Sequence, residues 1–170
     1  FNWRIAAIAA GYDRRANDLL APRKPSAVDL DASERLSNLA LSEFPYDTSS
    51  WLRIAYIDQL RHDELSPAGV SALARSYDLI AVDPALAPWR IRLVLENWPK
   101  IPKDLRNSAR EEARALSTDG RGRGKLKTAL AAVRNQDSAV MATLWRQRYV
   151  IDPTHIEHST PEKAASRSGY

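Results

Sequence analysis

Apolar residues recur every three or four positions through most of the chain, which is the spacing of one face of an α-helix. Short polar or proline-containing stretches separate the periodic segments. The pattern therefore predicts an all-α fold. The predicted helical segments are 3–20, 31–44, 51–62, 67–81, 88–98, 102–116, 126–134 and 138–150.

Side chains that can cap a helix precede several of these segments. Asp47 begins a run of four polar residues before the third helix, and Ser66 is followed by a proline at the first helical position, where the missing N–H costs nothing. Asp31 or Ser33 is expected to cap the second helix. These signals place the helix starts more closely than periodicity does.

Three stretches do not follow the helical pattern. Residues 89–95 alternate apolar with charged side chains, as a half-buried strand would, although Pro88 before them and Pro99 after them favour a helix. The glycine-rich run at 120–124 predicts a loop. The last residues, 151–170, offer little to bury and are expected to form a flexible tail after a single domain of residues 1–150.

A proline and a tryptophan recur at similar spacing in two places. Pro45 precedes Trp51 by six positions and Pro84 precedes Trp89 by five, so the prolines are 39 residues apart and the tryptophans 38. Small residues accompany them, with Ala40 and Ala72 on the helices that lead to the two prolines. An internal repeat of paired helices would produce this pattern.

Over about residues 31–116 the chain resembles the tetratricopeptide repeat, although its spacing exceeds the usual 34 residues by four or five. The resemblance implies stacked antiparallel helical hairpins, arranged as a tetratricopeptide-like α-solenoid or an irregular right-handed superhelix. The eight predicted helices would pair in sequence as four hairpins. The alternative from the residues alone is an irregular helical bundle whose prolines coincide by chance.

In the resembled family, the first helices of the repeats line a concave groove. Counting from the tryptophans, which are expected to pack in the core, the resemblance implies a groove formed by Leu52, Tyr56, Gln59, Arg90, Val94 and Asn97, with one residue of uncertainty. It implies a non-enzymatic scaffold that binds a segment of a partner protein. The partner itself is not identified by this pattern.

Charge is distributed unevenly along the 170 residues, whose net charge is +4. Residues 26–50 carry a net charge of −4 and residues 101–150 a net charge of +6. No stripe of basic residues interleaved with aromatics appears, so nucleic acid is not the favoured partner. The basic run at Arg121, Arg123, Lys125 and Lys127 is instead expected to contact an anionic lipid or polysaccharide.

This basic region supports a second hypothesis, a membrane-tethered periplasmic factor for bacterial envelope polysaccharide assembly or export. The chain begins at Phe1 without methionine, so a segment upstream is expected to have been removed. Residues 1–20 are either the remainder of a signal peptide or membrane anchor or, as the favoured interpretation, the first helix of the domain. The expected location is periplasmic, or membrane-anchored and facing the periplasm, with the cytoplasm as the alternative. The absence of cysteine suits either compartment, and it excludes thiol nucleophiles and thiolate metal sites.

Candidate catalytic and metal-binding groups are few. His62 falls in a predicted turn, and His155 and His158 are three residues apart without further ligands at suitable spacing. The basic run does not match a phosphate-binding loop, because Asp119 and Leu126 replace the required glycine and serine or threonine. The sequence therefore predicts no enzyme activity, metal or cofactor.

Overall fold

A computed structural model describes residues 3–20, 24–133 and 136–151, which fold into helices, in agreement with the predicted all-α class. A 3₁₀ turn, Trp98–Lys100, follows the fifth helix, and a π-helical segment, Gln147–Ile151, continues the last one. The helices are α1 (Trp3–Leu20), α2 (Ala27–Glu43), α3 (Thr48–His62), α4 (Pro67–Leu79), α5 (Ala87–Glu96), α6 (Lys103–Ser117), α7 (Gly120–Ala131) and α8 (Gln136–Arg146). Of the predicted flexible tail at 151–170, Ile151 instead ends the π-helical segment, and 152–170 lie outside the described residues.

The N-terminal half, α1 to α4, consists of two helical hairpins stacked side by side. Helix α1 packs on α2, α3 packs on α4, and α2 joins the two hairpins by packing on α3. Asp47 caps α3 through a hydrogen bond from the Ser49 N–H, and Ser66 caps α4 by accepting from the Gly69 N–H. Both predicted caps are confirmed.

The start of α2 differs from the prediction. Ser26, not Asp31 or Ser33, is the N-cap, and it forms a reciprocal pair of hydrogen bonds with Asp29. Ser33 lies one and a half turns inside the helix, fully buried, and its hydroxyl donates to the Ala16 carbonyl at 2.9 Å. A polar residue that seemed suited to a cap instead joins α2 to α1.

Residues 89–95 belong to a helix, α5. The alternating pattern was misleading because Arg90 is completely buried rather than exposed. Ile91, Leu93 and Val94 are also buried, so α5 is enclosed on most sides. Arg90 therefore places a charge on the buried side of the helix, where the sequence pattern predicts an apolar residue.

The glycine-rich run at 120–124 is the first turn of α7, so the predicted loop is wrong. Asp119 caps the helix by accepting a hydrogen bond from the Gly122 N–H at 2.8 Å. A Cβ atom on Gly122 would lie 2.1 Å from the Leu116 carbonyl oxygen at the end of α6. Glycine is required there because the two helices pass within backbone contact.

The C-terminal half, α5 to the π-helical segment, is less regular than the first. Helices adjacent in sequence still pack, α5 on α6 and α7 on α8, which is consistent with a stack of helical hairpins. Helix α7 also packs on α5 and on α6, and on each of them more extensively than on α8. Packing across the junction between the halves is carried mainly by α3 on α5 and α4 on α6. A continuous apolar core nevertheless runs from Leu52 in α3 to Tyr149 in the π-helical segment.

Candidate functional site

A cleft of about 480 Å³ opens between α1, α3 and the start of α5. These are the first helices of three successive predicted hairpins, so the cleft lies on the side where the repeat resemblance places a groove. We call it the aromatic cleft. Its lining residues are Asn17, Leu20, Ser49, Leu52, Arg53, Tyr56, Ala85, Leu86 and Trp89.

Two aromatic side chains define one wall of the aromatic cleft. The rings of Tyr56 and Trp89 meet edge to face, with centroids 5.2 Å apart and planes inclined by 69°. Trp89 is 46% exposed, so the expectation that it packs in the core is wrong. Trp51 is partly buried against the core, and its indole N–H donates to the Pro45 carbonyl at 3.0 Å.

A buried arginine forms the polar floor of the aromatic cleft. Arg53 is 5% exposed, forms an ion pair with Asp13 of α1, and donates through Nε to the Asn17 side-chain oxygen at 2.9 Å. It also donates to the hydroxyls of Ser37 and Ser50, both at 3.3 Å. This network joins α1, α2 and α3, fixes the shape of the cleft, and leaves its floor close to neutral.

The predicted groove residues separate into two groups. Leu52 and Tyr56 line the aromatic cleft, although Leu52 is only 5% exposed. Arg90, Val94 and Asn97 are buried, so their predicted place on an exposed groove is wrong. Helix α5 directs Trp89, one residue before Arg90, into the cleft, which is an offset within the uncertainty of the count.

Arg90 holds together three helices at the junction between the halves. Its guanidinium donates to the carbonyls of Ile80 at 2.8 Å and Ser76 at 2.6 Å, at the end of α4, and pairs with Glu112 of α6 at 3.2 Å. Both side chains of the pair are completely buried. Burial raises the pKa of Glu112, although the Asp83 N–H and Arg90 oppose the rise.

Asn97 and Gln59 form a second polar contact across the junction. The Asn97 side-chain oxygen accepts from the Leu65 N–H at 2.7 Å, and its amide nitrogen donates to Gln59 Oε1 at 2.7 Å. Gln59 in turn donates to the Asp63 carbonyl at 3.0 Å. Both predicted groove residues are therefore engaged in internal hydrogen bonds.

The four basic residues predicted to contact an anion lie on α7, not on a loop. Arg123 donates to the Ser117 carbonyl and Lys125 to the Pro84 carbonyl, both at 2.8 Å. Arg121 and Lys127 are exposed. The contact with anionic lipid or polysaccharide and the periplasmic location remain predictions.

The described residues, 3–20, 24–133 and 136–151, contain no cluster of metal ligands and no membrane-spanning helix. Within these ranges no three potential ligands among histidine, cysteine, aspartate and glutamate gather around one point. No described helix combines the length and apolar character needed to cross a bilayer. His62 lies 3.2 Å from the Asp58 carboxylate, whereas His155 and His158 fall outside the described residues.

Comparison with protein-family models, with curated proteins and with solved structures found no match to this chain. The resemblance to the tetratricopeptide repeat therefore stays a prediction.

Proposed function

We propose that this protein is a non-enzymatic scaffold that binds a segment of a partner protein in the aromatic cleft. The observation that carries the proposal is Trp89, nearly half exposed and supported edge to face by Tyr56 at the mouth of the cleft. Aromatic side chains of this kind supply large apolar contact areas and dominate many protein interfaces.

The chemistry of the aromatic cleft indicates what the segment offers. Leu20, Leu52 and Leu86 add aliphatic surface to the aromatic wall. The charged group at the floor, Arg53, is paired with Asp13 of α1. A segment with apolar or aromatic side chains and no net charge is therefore the best match, and the cleft is assigned binding rather than catalysis.

The Arg53 network also lowers the entropic cost of binding. Its hydrogen bonds hold α1, α2 and α3 in place before a partner arrives. A cleft that is already ordered loses little conformational freedom when a segment binds. The segment itself then carries most of the ordering cost.

A peptide display library selected on the folded wild-type chain tests this function. Selected peptides should bind Trp89→Ala about tenfold more weakly or worse, because truncation removes the exposed wall of the cleft. Tyr56→Ala should weaken the same peptides. Binding is measured by fluorescence anisotropy, and circular dichroism checks that each variant keeps its helices.

Val28→Ala provides the matched control. Val28 is 74% exposed on α2 and does not line the aromatic cleft, so its truncation removes apolar surface elsewhere. Affinity for the selected peptides should stay within about twofold of wild type. Equal binding to wild type and Trp89→Ala, or selection of no peptide at all, would contradict the proposed function.

A further inference from the structure

A second groove, of about 730 Å³, lies between α6 and the continuous segment formed by α8 and the π-helical turn. It belongs to the C-terminal half and shares no lining residue with the aromatic cleft. We call it the arginine groove. Its lining residues are Arg110, Glu111, Arg114, Met141, Leu144, Trp145, Gln147, Arg148 and Tyr149.

The base of the arginine groove is built from aromatic rings that meet edge to face. Trp145 and Tyr149 are 4% and 5% exposed, and their ring centroids lie 5.5 Å apart. Trp98 meets Trp145 edge to face at 6.0 Å. The guanidinium groups of Arg106 and Arg110 lie 4.9 and 5.2 Å from the Trp98 ring centre, so aromatic contacts orient this side of α6.

Positive charge lines both walls of the arginine groove. Arg110 and Arg114 lie one turn apart on α6, and Arg148 lies on the opposite wall. Among the lining residues one carboxylate, Glu111, contacts Arg114 at 3.5 Å. Arg110 donates to the neutral Asn107 side chain at 2.8 Å, so the groove keeps an excess of positive charge.

Exposed aliphatic side chains flank this positive charge. Val140, Leu144 and Ile151 are 64%, 57% and 60% exposed, and Leu144 also lines the groove. Val140 and Leu144 are four residues apart on α8, which places them on one face of that helix. A ligand that covers the groove therefore meets an aliphatic edge beside a row of guanidinium groups.

We propose that the arginine groove binds an acidic amphipathic helix of a partner protein. The apolar face of such a helix would cover Leu144 and its neighbours, while its aspartate or glutamate residues would face Arg110, Arg114 and Arg148. A nucleic acid would contact the arginine side chains but has no apolar face to cover the exposed aliphatic side chains. A bilayer is flat, whereas the groove is recessed between two helical walls. Charge complementarity and the amphipathic lining together select an acidic helix.

Two display libraries of amphipathic helical peptides test this proposal. Both share randomised apolar positions, and they carry either glutamate or lysine at the flanking positions. The wild-type chain should enrich peptides from the glutamate library and not from the lysine library. Affinity of the enriched peptides should fall as salt concentration rises, because the contacts are partly electrostatic.

Charge-reversed variants locate the binding site. The double variant Arg114→Glu/Arg148→Glu should bind the enriched peptides with an affinity lower by about tenfold or more. The control Arg14→Glu/Arg75→Glu makes the same change in net charge on exposed residues of α1 and α4, and affinity should stay within about twofold of wild type. Arg110→Gln provides a second test without charge reversal and should also weaken binding.

Several results would overturn the proposal. These are equal enrichment from both libraries, no enrichment from the glutamate library, or equal weakening by the groove variant and its control. A test with vesicles of phosphatidylcholine and phosphatidylglycerol gives one more contradicting result. If the wild-type chain binds these vesicles but no acidic peptide, and Arg114→Glu/Arg148→Glu abolishes the vesicle binding, the groove is a membrane-binding site. Trp89→Ala should leave the affinity for the acidic peptides unchanged. The two binding sites can therefore be tested independently.

Discussion

The two halves of the molecule each contain a buried arginine, and the two arginines have different surroundings. Arg53 in the N-terminal half is paired with Asp13, whose side chain is 28% exposed. Arg90 in the C-terminal half is paired with Glu112, and neither side chain reaches solvent. If the first ion pair is broken, water can hydrate the charge that remains. If the second ion pair is broken, the remaining charge stays buried without water. Solvent access, not residue type, therefore decides how much each pair contributes to stability.

Helix packing differs between the halves in a related way. In α1 to α4 neighbours in sequence are neighbours in space, whereas α7 packs on both α5 and α6. Few helix contacts cross the junction, so a buried guanidinium that bonds to α4 and α6 simultaneously is well placed to hold the halves together.

Replacing the fully buried arginine should have the largest effect. Arg90→Met leaves Glu112 without its cation and leaves the Ser76 and Ile80 carbonyls without their donor. We expect the free energy of unfolding to fall by about 3–5 kcal/mol, measured by urea denaturation. Arg75→Met, at an exposed position on α4, is the control and should change it by about 0.5 kcal/mol or less. Similar values for both variants would contradict the structural role of Arg90.

The partly solvated pair should be less costly to break. Arg53→Met removes hydrogen bonds to Asn17 and two serines, but Asp13 can be rehydrated from the cleft. We expect a loss of about 2–3 kcal/mol in the same urea experiment. A loss as large as that of Arg90→Met would show that solvent access does not distinguish the two pairs.

The pH dependence of stability probes the buried carboxyl directly. Because burial raises the pKa of Glu112, the folded chain holds this proton to a higher pH than the unfolded chain, whose glutamate titrates near 4.5. The contribution of Glu112 to stability is thus greatest below pH 4.5 and declines as pH rises through the raised pKa.

The Glu112→Gln variant has no ionisable group at position 112, so it is the reference for the pH dependence of wild-type stability. The unfolding free energy of wild type minus that of the variant should decline with rising pH above 4.5 and then level off. Urea denaturation of both proteins at a series of pH values measures the difference, in which the other carboxyls largely cancel. Parallel pH profiles would show that the folded state does not raise this pKa.

Two glycines of α7 test the packing of the irregular half. Gly122→Ala would place a methyl group 2.1 Å from the Leu116 carbonyl oxygen and should cost about 1–3 kcal/mol. Gly124→Ala meets no atom within 4 Å and should stabilise the helix by about 1 kcal/mol. Thermal unfolding monitored by circular dichroism compares them. Equal, negligible effects would restore the interpretation of 120–124 as a loop.

These positions also show how far the sequence could predict the structure. Helical periodicity and the caps at Asp47 and Ser66 identified most of the helices, because those signals are local. The role of Gly122 was hidden, since its close approach to Leu116 depends on tertiary packing. The same glycine-rich composition is typical of loops.

The candidate site was predicted in part. Tyr56 and Leu52 were placed in the groove by counting along a helix, and the cleft contains both. Trp89 was expected in the core, and counting from it placed Arg90 in the groove, whereas the structure exposes Trp89 and buries Arg90. From the sequence alone, Arg90 cannot be distinguished from a surface arginine. Its burial depends on its partners, Glu112 and the carbonyls of α4, which only the structure reveals.

The smallest predicted effect concerns the contact between Tyr56 and Trp89, which joins the halves at the aromatic cleft. A double-mutant cycle with Tyr56→Leu and Trp89→Leu should give a coupling energy of about 0.5–1.5 kcal/mol, typical of an edge-to-face pair. The cycle is measured by urea denaturation of the four proteins. A coupling near zero would mean that α3 and α5 do not hold the rings together in solution. In that case the aromatic wall would form only when a partner binds, and the cleft would lose its preordered character.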